Sequence, residues 1–134
     1  MTDSESKHNV EPVTLSGWRF AARELGPLPQ PLDPAYLVEG SVYFSLNYAD
    51  RDRLVPILET LVFVGRKLEL DAQSLLFQDI DSYREGIRYG TTAGGTYGTF
   101  QTRPEGGVTD VFGYERAVEE LMRCSLRRRG LLAF

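Results

Sequence analysis

The chain contains few of the residues on which most enzyme chemistry depends. Its 134 residues include one cysteine, Cys124, one histidine, His8, and only two lysines, Lys7 and Lys67. One histidine and one cysteine cannot provide the three or four ligands of a usual zinc site. A catalytic triad would need His8, which lies in a polar N-terminal segment typical of a mobile terminus. We therefore expect no metal, no cofactor and no triad, although magnesium or calcium binding by carboxylates alone, with Asp79 and Asp81 as ligands, is left open. We interpret Cys124 as a buried, unreactive thiol.

The shortage of cysteine and of long apolar runs also bears on where the protein works. One cysteine excludes a disulfide within the chain, which disfavours a secreted scaffold held together by disulfides. Residues 1–10 are polar and partly acidic, unlike a signal peptide. No apolar run approaches the roughly 20 residues that span a bilayer. The sequence therefore predicts a cytoplasmic protein that makes no membrane contact.

The chain has fewer basic than acidic residues. The net charge is -4 at pH 7 and the isoelectric point lies near 5.0. A negatively charged molecule repels polyanions, so we expect no nucleic-acid partner. Hydrophobic residues make up 42% of the chain and charged residues 25%, which is the composition of an ordinary globular protein rather than a disordered one.

Residues 1–35 differ in composition from the remainder and are interpreted as an N-terminal arm. Proline is concentrated in the second half of this arm, where it favours extended backbone that does not form a core element. Trp18, Phe20 and Leu25 are too apolar to be left in solvent, so we expect their side chains to dock on another surface. Residues 36–134 are predicted to form one α+β domain.

Three stretches of this domain have the residue pattern of β-strands. Apolar residues alternate with other residues between Val38 and Tyr48, which predicts a half-buried strand. Residues 59–68 and 75–80 are rich in β-branched and large apolar side chains, and they are predicted to form an antiparallel pair. Between the first strand and this pair, the apolar spacing over 51–58 predicts a short helix.

The C-terminal third is predicted to continue the sheet and to end in a helix. Residues 99–103 and 108–112 are interpreted as a β-hairpin around a Pro-Glu-Gly-Gly turn. A helical repeat runs over residues 114–129, in which Glu119 and Arg123 are expected to pair. The side chains expected on its core face are Tyr114, Ala117, Val118, Leu121, Met122 and Ser125. The predicted fold is therefore α+β: a mostly antiparallel sheet of about five strands packed against a C-terminal helix.

A pocket for a small anionic ligand is one possibility that the sequence leaves open. Asp79 and Asp81 would lie on the same side of an extended strand. The segment Gly90–Gly98 is rich in glycine but lacks the lysine and the following helix of a phosphate-binding loop. We interpret it as a connection that could cover a pocket. The residues assigned to this candidate pocket are Asp79, Asp81, Arg84, Arg88, Tyr97 and Arg103.

The scarcity of catalytic residue types favours a non-enzymatic protein-interaction or regulatory module, which we expect to form a homo-oligomer. Its candidate contact residues are the apolar side chains of the arm and of the C-terminus: Trp18, Phe20, Leu25 and Phe134. The first alternative is a small-ligand binding protein or carboxylate-based enzyme that uses the pocket under Gly90–Gly98. A second alternative, which the small size and acidity allow, is an immunity or inhibitor protein.

Overall fold

A computed structural model describes residues 10–12, 18–30, 32–69, 72–90 and 98–132 of the chain. The strands within this part are β1 (Val10–Pro12), β2 (Trp18–Phe20), β3 (Val42–Tyr48), β4 (Pro56–Glu69), β5 (Ala72–Asp79), β6 (Phe100–Pro104) and β7 (Val111–Phe112). The helices are α1 (Ile80–Arg84) and α2 (Tyr114–Arg128), and Pro34–Tyr36 forms a turn of 3-10 helix. Within the arm, β1 and β2 pair as a small antiparallel ribbon.

The other five strands form one antiparallel sheet in the order β6-β5-β4-β3-β7. In the β3–β4 hairpin, Val42 lies opposite Val62 and Tyr48 lies opposite Pro56. The predicted α+β fold, with an antiparallel sheet of five strands and a C-terminal helix, is confirmed. The antiparallel pair predicted from residues 59–68 and 75–80 is also confirmed, as β4 and β5.

The short helix predicted over 51–58 is wrong, because this segment is a turn followed by the first residues of β4. The Asp50 carboxylate accepts hydrogen bonds from the backbone N–H groups of Leu54 and Val55 at 2.9 to 3.0 Å. In a helix, these two N–H groups would donate to backbone carbonyl groups. In the turn, they donate to the Asp50 carboxylate instead. Pro56 has no N–H group with which to continue a helix, and it begins the strand instead.

β4 is the longest strand, and it contains a β-bulge between Phe63 and Gly65. Phe63 lies opposite Phe77 whereas Gly65 lies opposite Leu76, so Val64 is the extra residue. Gly65 has φ +144, a conformation that side chains other than glycine rarely adopt. The bulge therefore requires glycine at this position, and it bends the strand locally.

The hairpin predicted between residues 99–103 and 108–112 is wrong, although both segments contribute strands. β6 pairs with β5 at one edge of the sheet, and β7 pairs with β3 at the opposite edge. The connection passes over one face of the sheet, since Val108 within it is buried in a core cluster with residues of β4 and β5. Burial of Val108 is a long-range effect that turn-forming residues cannot indicate.

Apolar side chains pack on both faces of the sheet. One cluster, formed by β4, β5 and the segments that cover them, consists of Leu37, Leu61, Phe63, Leu75, Phe77, Val108 and Val111. The other, between β3, β7 and α2, consists of Leu46, Phe112 and Ala117, with Phe44 and Tyr48 packed against it. Each large apolar side chain contributes about 1.5–3 kcal/mol when it is fully buried. The second cluster therefore fixes α2 over the β3–β7 edge.

Helix α2 ends as its sequence predicts. Gly130 follows it with φ +74, and the Gly130 and Leu131 N–H groups donate to the carbonyl oxygens of Arg127 and Leu126 at 3.0 and 2.9 Å. This left-handed termination satisfies carbonyl groups that the helix leaves open. Neither α2 nor α1, the helices of the part described, has the length and apolar content to cross a bilayer.

Candidate functional site

Asp79, the first residue assigned to the candidate ligand pocket, caps helix α1. Its carboxylate accepts hydrogen bonds from the Ser82 N–H at 2.9 Å, the Ser82 hydroxyl at 2.5 Å and the Thr99 N–H at 2.8 Å. Burial acts to raise the pKa of Asp79, but these donors outweigh it and hold the pKa below the ordinary value of 3.8. The carboxylate thus joins α1 to the segment that leads into β6.

Asp81, Arg84 and Arg88 lie on the outside of α1 and of the turn that follows it. All three side chains are exposed. The Arg88 guanidinium stacks on the Tyr83 ring, 4.0 Å from its centroid, and donates to the carbonyl oxygens of Tyr83 and Ile87. Arg88 borders a cleft of about 240 Å³ whose other described lining residues are Glu39, Gly40, Val64 and Tyr83.

Arg103 lies away from these residues along the sheet. It pairs with Leu75, four residues before Asp79 on β5, which is about 13 Å at the usual rise of a strand. Its guanidinium binds the Asp110 carboxylate at 3.0 Å and so holds the connection that crosses the sheet. Tyr97 lies outside the described residues. Among the residues described, no three His, Cys, Asp or Glu side chains are grouped to hold a metal ion.

Helix α2 buries charged side chains beneath it. Glu120, Arg123 and Arg127 are only 5%, 3% and 8% exposed, although such residues are rarely buried without partners. The Glu120 carboxylate accepts a hydrogen bond from the Tyr48 hydroxyl at 2.5 Å and lies 3.5 Å from a nitrogen of each arginine. Burial, followed by the bond to Glu120, raises the pKa of Tyr48 further above its ordinary value, and the phenol is the donor in this bond.

Backbone carbonyl groups explain why the charged side of α2 faces inward. The Nε atom of Arg127 donates to the Arg53 carbonyl oxygen at 3.0 Å, and that of Arg123 donates to the Gly26 carbonyl oxygen at 2.9 Å. With an apolar helix face, these carbonyl groups would lose their arginine donors, and a hydrogen bond to a charged group contributes about 1.5–3 kcal/mol. The charged side of α2 therefore ties the helix to the arm and to the β3–β4 turn.

The opposite, apolar side of α2 faces outward, so the predicted orientation of this helix is wrong. Of the side chains expected to face the core, only Ala117 is buried. The others are Tyr114, Val118, Leu121 and Met122, which are 66%, 45%, 36% and 37% exposed, and Ser125, which is also exposed. We call these five outward residues the outer face of α2.

The arm lies along one side of α2 and is held there by ion pairs. Arg23 binds Glu115 at 2.7 Å and Glu119 at 3.2 Å. The pair predicted between Glu119 and Arg123 is wrong, because Arg123 turns inward to Glu120 while Glu119 faces the arm. These contacts cover one flank of α2 and leave the outer face accessible.

Two of the four candidate contact residues border grooves between the arm and α2. Phe20, which is 67% exposed, lines an apolar groove of about 430 Å³ together with Val118 and Met122. Leu25 lines a second groove of about 470 Å³ that also includes Met122. The Trp18 side chain and Phe134 lie outside the described residues. The predicted docking is therefore wrong for Phe20, whose side chain is left largely in solvent, and an apolar strip stays open beside the outer face.

No protein-family model, no curated protein and no solved structure matches the chain. Its function must therefore be inferred from the contacts and exposure of its own residues. Those observations distinguish α2 from the other described elements, because the three buried charged side chains, Glu120, Arg123 and Arg127, all lie on it, while most of its large apolar side chains are exposed.

Sequence patterns do not identify the buried role of Glu120, Arg123 and Arg127. These residues repeat at helical spacing just as the apolar residues do, so periodicity defines two stripes without deciding which of them is inside. One feature of the sequence does indicate this role: Glu120 precedes Arg123 by three residues and Arg127 by seven. That spacing puts a carboxylate between two guanidinium groups on the same helix face.

Proposed function

We propose that this protein is a non-enzymatic interaction module that self-associates through the outer face of α2, and that it acts in the cytoplasm. The observation that carries the proposal is the orientation of α2, which buries Glu120, Arg123 and Arg127 and exposes its apolar residues. The cytoplasmic location is supported by the single cysteine, Cys124, which is buried as a free thiol.

The outer face has the anatomy of a protein contact. Its centre carries the apolar side chains of Val118, Leu121 and Met122, whereas Glu115 and Arg129 stand at its margins. Contact surfaces typically have an apolar centre and a polar rim. Removing apolar surface from water is favourable by about 25 cal/mol per Å². Contiguous exposed apolar residues therefore mark a surface that a partner covers.

A second copy of the chain is the partner that the two ends of the outer face favour. Tyr114 lies at the N-terminal end of this face, 66% exposed, and the exposed Arg129 lies just beyond the C-terminal end of the helix. A surface with an aromatic ring at one end and a guanidinium group at the other is complementary to itself when two copies meet across a two-fold axis. No partner of a different kind is needed to match this pattern.

The proposal is tested by the mass of the protein in solution. Sedimentation velocity over a wide dilution series is expected to show a concentration-dependent change from one chain to two. Val118→Glu places a charge in the centre of the outer face and is expected to shift the equilibrium to the monomer. Val55→Glu is the matched control, because Val55 is 49% exposed but lies outside this surface. A wild-type protein that is monomeric throughout, or equal effects of the two variants, would overturn the proposal.

A further inference from the structure

We infer that two copies of α2 pair antiparallel across a two-fold axis that passes between Leu121 and Met122. This inference rests on the self-association proposed above and adds the direction and register of the pairing. The outer face runs along the whole helix from Tyr114 to Ser125, and Arg129 continues it. A narrow stripe of this length suits a single helix from the partner lying along it.

The register follows from the order of residues along the outer face. Leu121 and Met122 are at its centre, so each would contact the partner's Met122 or Leu121. Val118 and Ser125 are equally far from that centre, and they would lie opposite each other in an antiparallel pair. Each such pair places a larger apolar side chain against a smaller or flexible one, which allows close packing between helices.

The ends of the stripe favour the antiparallel direction. Tyr114 would meet the partner's Arg129, and an arginine over a tyrosine ring is an attractive cation–π contact. A parallel pair would instead place Arg129 against Arg129, and like charges held this close repel. Antiparallel helices also bring the positive end of each helix dipole near the negative end of the other.

The arm restricts which side of α2 a partner helix can reach. Arg23 covers the flank of α2 that carries Glu115 and Glu119, and Gly26 is bound to Arg123 further along the helix. A partner helix must therefore lie on the outer face itself. There it would also border the groove lined by Phe20, which opens next to Val118 and Met122.

Disulfide cross-linking tests the direction and register. An equal mixture of Val118→Cys and Ser125→Cys chains is expected to form covalent dimers under mild oxidation, whereas each variant alone is expected to stay uncross-linked. In the antiparallel pair, two copies of position 118 are seven residues apart along the axis, about 10 Å, which exceeds the reach of a disulfide. Wild-type protein is the control for Cys124, which is 3% exposed and is not expected to react.

The possible outcomes separate this inference from the proposed function. Cross-linking only in the mixture supports the antiparallel register. Cross-linking of Val118→Cys chains on their own would show a parallel pair. Dimers that are seen in sedimentation but cross-link neither in the mixture nor in the single variants would show a different contact. Either result overturns the inference, while self-association stands. A protein that stays monomeric at every concentration overturns the proposed function itself.

A second measurement addresses the ends of the pair. Arg129→Glu is expected to weaken the dimer about tenfold, because the substitution removes two symmetry-related contacts with Tyr114 at once. Arg51→Glu is the control, since Arg51 is exposed in the β3–β4 turn and lies outside the outer face. Equal dimer affinities for the two variants would contradict the assignment of Arg129 to the contact.

Discussion

The Tyr48 hydroxyl donates a hydrogen bond to the Glu120 carboxylate, with 2.5 Å between the two oxygens, and so joins the last residue of β3 to the middle of α2. Arg127 donates to the same hydroxyl at 2.6 Å, and its guanidinium lies 5.0 Å from the centroid of the Tyr48 ring. The Tyr48 hydroxyl therefore donates to a buried carboxylate and accepts from a buried guanidinium. This contact, together with the bonds from Arg123 and Arg127 to backbone carbonyl groups, holds the charged side of α2 inward.

Tyr48→Phe is expected to lower the free energy of unfolding by about 1–3 kcal/mol, because the variant keeps the ring but leaves buried hydrogen-bonding capacity of Glu120 and Arg127 unsatisfied. Urea denaturation followed by circular dichroism measures the change. Tyr36→Phe is the matched control, since Tyr36 is 79% exposed, and it is expected to have little effect. If the two variants unfold at the same urea concentration, the Tyr48 hydroxyl does not stabilise the fold.

Glu120→Gln is expected to cost more, about 3–5 kcal/mol, because it removes the negative charge between two buried guanidinium groups while preserving the shape of the side chain. Arg123 and Arg127 would then be held at 3% and 8% exposure without their carboxylate partner. The same denaturation experiment measures the loss, with Glu24→Gln at an exposed position of the arm as the control. A loss no greater than that of the control would mean that the Glu120 charge does not stabilise the fold.

The strands could be predicted from the sequence where local pattern decides the structure. Alternation before Tyr48 and the β-branched content of residues 59–68 correspond to β3 and β4. The predictions were wrong where contacts between residues far apart in the sequence determine the structure. The turn before β4 is set by the Asp50 carboxylate, and the separation of β6 from β7 is set by burial of Val108 under the sheet. Neither effect leaves a periodic signal in the segment concerned.

The same distinction applies to the candidate site. The bounds of α2 could be predicted because Gly130 and the helical repeat are local features. Its orientation could not, because the choice between two stripes is made by Tyr48 and by the carbonyl groups of Gly26 and Arg53, which are distant in sequence. Asp79 was assigned to a ligand pocket for a related reason: a carboxylate that caps a helix and one that binds a ligand look alike in a sequence.

Asp79→Ala is expected to destabilise the protein by about 0.5–2 kcal/mol at neutral pH, the usual contribution of a helix cap. Its pKa is lowered in the folded state, so the unfolded chain takes up the proton first as the pH falls. The stabilisation is therefore complete above the ordinary pKa of 3.8 and is lost as the pH falls through the lower, folded value.

Unfolding curves of wild type and Asp79→Ala at a series of pH values test this relation. The difference in the free energy of unfolding is expected to be largest at neutral pH and to shrink in acid. Asp81→Ala is the control, because Asp81 is an exposed residue of the same helix. A wild-type-to-variant difference that does not change with pH would show that the Asp79 charge has no part in the cap.

Gly98→Ala is expected to destabilise the protein by about 1–3 kcal/mol, as overpacking of a filled site does. A Cβ atom at this position would lie 2.7 Å from the Ser82 hydroxyl oxygen, 3.0 Å from the Phe100 ring and 3.2 Å from the amide nitrogen of Gln78. Gln78 cannot move aside freely, because it is completely buried and its amide donates to the Ser82 hydroxyl at 2.9 Å and to the Ile87 carbonyl oxygen at 2.8 Å.

The control for this substitution is Gly106→Ala, because a Cβ atom at Gly106 would meet nothing within 4 Å and Gly106 is not among the glycines with positive φ. Restricting the unfolded chain should make that variant neutral or slightly more stable. Thermal unfolding of both variants decides the matter. Only the Gly98 variant should lose stability, since the added methyl group must displace either the Ser82 hydroxyl that binds Asp79 or the buried Gln78 amide. Equal melting temperatures for the two variants would mean that the segment before β6 is not packed against Gln78 and Ser82.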